Sequence, residues 1–173
     1  MEDVIEFWFQ TLEPADWYTK SNDLDARIKE RFERTYHQIV AGEKSNWRST
    51  AEGRLAEIIV LDQFSRNMFR GLPESFAADP LALAFAQEAV RNGADKELDD
   101  QKRAFLYMPF MHSESVKIHE QAMELFKDLS NLAFEIKHKA IIDRFGRYPH
   151  RNDVLGRAST AEEIEWLAEN TGF

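Results

Sequence analysis

The 173-residue chain predicts an all-α protein, an irregular bundle of seven to eight helices, on three observations. Apolar residues recur at helical spacing along most of the chain. Capping residues precede these stretches, and glycine or proline follows them. No stretch alternates apolar and polar residues between hairpin turns, so strands are not expected.

Val4, Ile5, Phe7, Trp8 and Phe9 predict a short buried helix ending near Thr11, before Glu13-Pro14 breaks it. Ser21 caps a helix over 22–41, with Asp23 and Asp25 well placed at its positive end. Leu24, Ile28, Phe32, Tyr36 and Ile39 form its apolar face, and Gly42 closes it. Thr50 caps the next helix, which carries Leu55, Ile58 and Ile59 into LDQFSRNMFRG (61–71), where Gly71 and Pro73 stop it. Asp79 as cap and Pro80 as first helical residue open a helix that ends at Asn92-Gly93. Its small side chains permit close helix approach. A further helix starts at Asp99 or Asp100, and Pro109 kinks or ends it. Residues 115–128 and 131–145 read as two more. Ser159 with Glu162, or Thr160 with Glu163, makes a capping box for a last helix bearing Ile164, Trp166 and Leu167.

A chain of this length buries roughly 70% of its unfolded surface, and one domain over 1–173 is expected. Net charge is −9, from 22 basic and 31 acidic residues, which argues against nucleic acid or an anionic membrane as main partner. Cysteine is absent, which removes disulfides, thiolate metal sites and cysteine nucleophiles. No apolar run approaches the ~20 residues of a membrane span, and a cytoplasmic location is expected.

The segment RFGRYPHRNDVLGRAST (144–160) stands apart. It supplies four arginines, a Pro-His pair, an asparagine and two glycines to an otherwise acidic, helix-forming chain. With LDQFSRNMFRG (61–71), FAADPLAL (76–83), FLYMPFMHSE (105–114) and the opening IEFWF (5–9), it resembles the bacterial domain-of-unknown-function family number 924. The resemblance covers almost the whole chain. It implies an all-α fold similar to the tetratricopeptide-repeat superfamily and a stand-alone cytoplasmic protein, and it implies no activity. Ser65 departs from the proline expected in the LDQF motif, a change that favours a continuing helix.

The matched motif positions define a candidate polar site: Asp62, Gln63, Arg66, Asn67 and Arg70; Tyr107, His112 and Glu114; Arg144, Arg147, His150, Arg151 and Asn152. Asp62, Arg66 and Arg70 lie four residues apart and line one helix face beside the apolar stripe. Charges there need partners. Either the arginines brace helix ends and loops, or they line a pocket. In the second case guanidinium forks suit a carboxylate or phosphate, and an acidic protein with one basic pocket focuses such ligands.

Metal and cofactor are not expected. The five histidines (37, 112, 119, 138 and 150) form no HExxH, and Glu135-x-x-His138 lacks the second copy that a di-iron bundle needs. No G-x-S-x-G elbow or glycine-rich phosphate loop is present. His112 and His150 have the chemistry for acid–base work. Two functions stay open: a site for a small anionic molecule, or a helical module that holds a peptide in a groove.

Overall fold

The computed structural model describes residues 1–170. Among them every regular element is helical, with no strand. The opening helix α1 (Glu2–Glu6) widens into a π-helical turn over Phe7–Thr11. Helix α2 spans Asn22–Val40, capped by the Ser21 hydroxyl, which accepts from Leu24 N at 3.3 Å. Helix α3 (Ala51–Ile59) is capped by Thr50, which accepts from Gly53 N at 3.1 Å. It continues through a π-helical turn over Val60–Phe64 into α4 (Ser65–Met68).

After a single turn, α5 (Glu74–Ala77), come α6 (Asp79–Arg91) and α7 (Asp100–Met111). Helices α8 (Val116–Phe126), α9 (Leu132–Phe145) and α10 (Ala161–Glu169) complete the chain. Helix α7 passes through Pro109 to Met111 instead of ending there. Of the two capping boxes the sequence permits, Thr160 with Glu163 forms. Asp79 is not the cap of α6: the helix begins one residue earlier than expected, at Asp79 itself, and that carboxylate is turned to another use.

The core is built on aromatic contacts, most of them edge to face. Phe7 meets Phe32 at 5.2 Å, Trp8 meets Phe64 and Phe105 at 5.5 Å each, and Phe32 meets Phe64 at 4.6 Å, all centroid to centroid. These contacts add orientation to the area the rings bury. Ala82, Ala86 and Ala89, all fully buried, let α6 approach α3 and α7 closely. Gly53 is equally constrained, because a Cβ there would stand 1.9 Å from the Trp47 carbonyl oxygen. A last small cluster, Ile141, Ile142 and Tyr148, joins α9 to the 144–160 segment. No helix of the described residues is long and apolar enough to cross a membrane.

Candidate functional site

A cleft of about 930 Å³ opens where α4, α7, α9 and the turn Pro149–Arg151 meet. Lys20, Arg66, Arg70, Lys137 and Arg151 line it with His112, His138 and His150, and no carboxylate is among its lining residues. Phe76 and Tyr148 supply apolar wall, and Tyr18 and Phe134 stand exposed in the lining. A second hollow at the end of α2, lined by Glu33, Arg34, His37, Gln38, Ala41 and Glu43, gathers no comparable set.

Behind the cleft sits Asp62, fully buried in the π-helical turn. Its two carboxylate oxygens accept from His112 Nδ1 at 2.8 and 2.9 Å, and Oδ2 also accepts from Gln63 Nε2 at 2.6 Å. Arg66 Nη1 lies 3.3 Å from Oδ1 and also donates to the Asp62 carbonyl, one helical turn back. Burial opposes ionisation of Asp62, but Arg66 and His112 outweigh it and hold the carboxyl below its ordinary range. A carboxylate only accepts, so Nδ1 of His112 carries the proton.

Asp79, also outside the cleft lining, plays a matching role. Its Oδ2 accepts from Arg66 Nη2 at 3.0 Å and from Arg151 Nη1 at 3.1 Å. Arg151, nearly buried, also donates to the His112 carbonyl at 3.0 Å and lies 4.6 Å from the ring centroids of both Phe76 and Tyr148. Burial and the neighbouring Arg66 charge lower its pKa from the ordinary arginine value. Arg70 grips Asp25 of α2 with Nε and Nη2 at 2.6 and 2.8 Å, and Asn67 donates to the same carboxylate at 2.8 Å. Lys20 and Lys137 form no ion pair among the described residues.

Burial lowers His138 and His150 to about 4, with Arg151 adding to the effect at both. Deeper in, the fully buried His119 places Nδ1 2.7 Å from Glu135 Oε1 and Nε2 2.8 Å from the Ser113 carbonyl. Glu135, whose spacing to His138 suggests a metal half-site in the sequence, is thus spent on His119. Among the described residues, no group of three or more His, Asp or Glu is placed to hold a metal ion.

The structure therefore divides the candidate residues. Arg66, Arg70, His112, His150 and Arg151 line the cleft, with Asp62, Gln63 and Asn67 bracing them from behind. Tyr107 is not in the lining: its buried hydroxyl donates to Asp95 at 2.6 Å. Arg144 is exposed and pairs with Glu162 at 2.7 Å. Arg147 takes Glu163 with Nε and Nη2 at 2.7 and 2.8 Å, and Asn152 donates to Glu163 at 3.3 Å, so both tie α10 to the chain before it. Glu114 accepts from Arg157 at 2.7 and 3.0 Å and from Tyr148 N at 2.7 Å, pinning the 144–160 segment to the end of α7.

The sequence marks Asp79 only as a helix cap and His138 only as a metal half-site, and it does not single out Phe76, Lys20 or the α9 neighbours of His138, Phe134 and Lys137. The α9 trio has a signal, since positions three and four apart share a helix face. Nothing in the sequence says which way that face turns.

Fold and cleft together define an all-α protein with a basic hollow braced from behind by buried carboxylates. The chain belongs to the family described as bacterial protein of unknown function (DUF924), which matches residues 4–171. It is similar to the solved structure of a protein of unknown function from Agrobacterium tumefaciens, with a TM-score of 0.93 and 38% identity over 97% of this chain and 96% of that one. No curated protein matches the sequence.

Proposed function

We propose that the cleft binds a small organic anion, a carboxylate or a phosphate, in a cytoplasmic protein. One observation carries the reading: five cationic side chains and three histidines line one hollow, without a lining carboxylate, in a protein of net charge −9. Arg66 and Arg151 share Asp79, so two guanidiniums are held beside one carboxylate oxygen. The exposed Lys20 and Lys137 add charge that no ion pair within the described residues offsets. A low-dielectric wall beside such a cluster focuses its field on an entering anion. Tyr18 and Phe134 extend the site for a ligand with an apolar body behind its acidic head.

The test is thermal. Phosphate or succinate raises the melting temperature more than chloride at matched ionic strength, because a ligand bound to the folded state stabilises it by about 2.7 kcal/mol at a hundred times its Kd. The double variant Lys20→Ala, Lys137→Ala keeps the fold and loses much of that increment. It also controls for the general strengthening of burial by phosphate. An increment of the same size in parent and variant would remove the lysines from the site, and no anion-specific increment at all would remove the reading.

A further inference from the structure

Building on the anion site proposed above, we propose that the cleft hydrolyses small esters whose acyl part carries a carboxylate or phosphate, with His112 as the base that activates water. The orientation of His112 carries this. Its Nδ1 is committed to both oxygens of Asp62, at 2.8 and 2.9 Å, on the sealed side of the ring. Asp62 is buried whereas His112 is partly exposed and lines the cleft, so the Nε2 edge is the one left to the cavity. Nε2 has no hydrogen-bond partner among the described residues. In the neutral ring it bears the lone pair.

Two cations of the cleft lining stand close to His112. Arg66 Nη1 stands 3.3 Å from the same Asp62 oxygen that His112 Nδ1 meets at 2.8 Å. Arg151 Nη2 donates to the main-chain carbonyl of His112 at 3.0 Å. One guanidinium can anchor the acid group of a substrate while the other faces charge developing on the reacting carbonyl.

The nucleophile is water, because the lining offers no activated side chain. Ser75 Oγ donates to the Leu72 carbonyl at 2.7 Å, the buried Tyr148 hydroxyl donates to the Met111 carbonyl, and the chain has no cysteine. As the water oxygen bonds to the acyl carbon, its proton passes to Nε2, and the carbonyl π electrons move onto oxygen. When that oxyanion collapses, the bond from carbon to the alcohol oxygen breaks. The departing alkoxide takes the proton back from Nε2, leaving an acid, an alcohol and a neutral His112. Asp62 stabilises the imidazolium formed between the two transfers. His138 and His150, lowered to about 4, are not imidazolium acids at neutral pH, so His112 serves both transfers. Acyl transfer is favoured over phosphoryl transfer because the latter draws mainly on positioning and charge, with little use for a base poised on water.

The probes are p-nitrophenyl hydrogen succinate, which is anionic, and p-nitrophenyl acetate, which is neutral. The parent protein is expected to prefer the anionic ester by about tenfold or more in kcat/KM, the equivalent of ~1.4 kcal/mol. Inorganic phosphate should compete, and kcat should fall in heavy water. His112→Ala and His112→Gln, each checked for a native circular dichroism spectrum, should lose about a hundredfold in kcat. Both should retain part of the rise in melting temperature that phosphate causes, the part that the arginines and lysines of the cleft supply. Phosphate stabilisation without ester hydrolysis would overturn the hydrolase and leave the anion site standing, as would His112 variants at the parental rate or faster turnover of p-nitrophenyl phosphate. Neither stabilisation nor hydrolysis would remove both.

Discussion

Arg66 and Arg151, eighty-five positions apart, donate to the same oxygen, Asp79 Oδ2, at 3.0 and 3.1 Å. Both guanidiniums are largely out of water, and Asp79 is the carboxylate that holds them at the cleft wall. The arrangement places two positive groups side by side at the cost of burying all three charges. Such an arrangement persists only where each member is hydrogen-bonded.

Asp79→Asn therefore costs about 3 kcal/mol of stability, in the range found when one partner of a buried ion pair is removed. Urea unfolding measures it. A loss under about 1 kcal/mol, the scale of an exposed pair, would mean that water screens the cluster.

Arg147→Gln separates the bracing arginines from the cleft. Its fork holds Glu163 and it also donates to the Ala158 carbonyl, so the variant loosens α10 and lowers the melting temperature. The phosphate increment stays at its parental size. Loss of that increment would return Arg147 to the site.

His138 and His150 are each lowered from 6.5 to about 4, chiefly by burial. A histidine with a depressed folded pKa favours folding fully above its unfolded value and loses that contribution as pH falls through the folded one. Stability from this pair is thus complete above pH 6.5 and declines toward pH 4. Nuclear magnetic resonance titration of the ring protons reads both midpoints directly. Saturating phosphate moves them upward, because an anion in the cleft favours the charged rings; unmoved midpoints would place the anion elsewhere.

Glu57 gives the opposite slope. It is buried in α3, with Arg48 Nε 3.0 Å from Oε2, and burial, against the pull of Arg48, raises it from 4.5 to about 7. A carboxyl with a raised folded pKa stabilises below its unfolded value and loses that stability as pH climbs through the folded one. Glu57→Gln removes the loss between pH 4.5 and 7, so the difference in unfolding free energy between parent and variant changes across that window. A constant difference would show that Glu57 titrates as it does in the unfolded chain.

The helices themselves were legible in the sequence because their determinants are local. Ser21, Thr50, Asp99 and the Thr160–Glu163 box each bond a backbone N–H three residues away, and no distant contact is needed to foresee them. Gly42, Gly71, Gly93 and Gly146 take positive φ at helix ends for the same reason. The pairing of charges is another matter. With 31 acidic and 22 basic residues, most partners of an arginine lie far from it in sequence, and spacing cannot choose among them. Packing chose Asp79 for Arg151 across 72 positions, and Asp62 for His112 across 50. It also turned the Phe134, Lys137 and His138 face of α9 toward the cleft while sending Tyr107 to Asp95 and Arg147 to Glu163. The family motifs marked which residues to watch, whereas the direction of each side chain depends on how helices far apart in sequence rotate to bury their apolar faces, and only the assembled bundle sets that rotation.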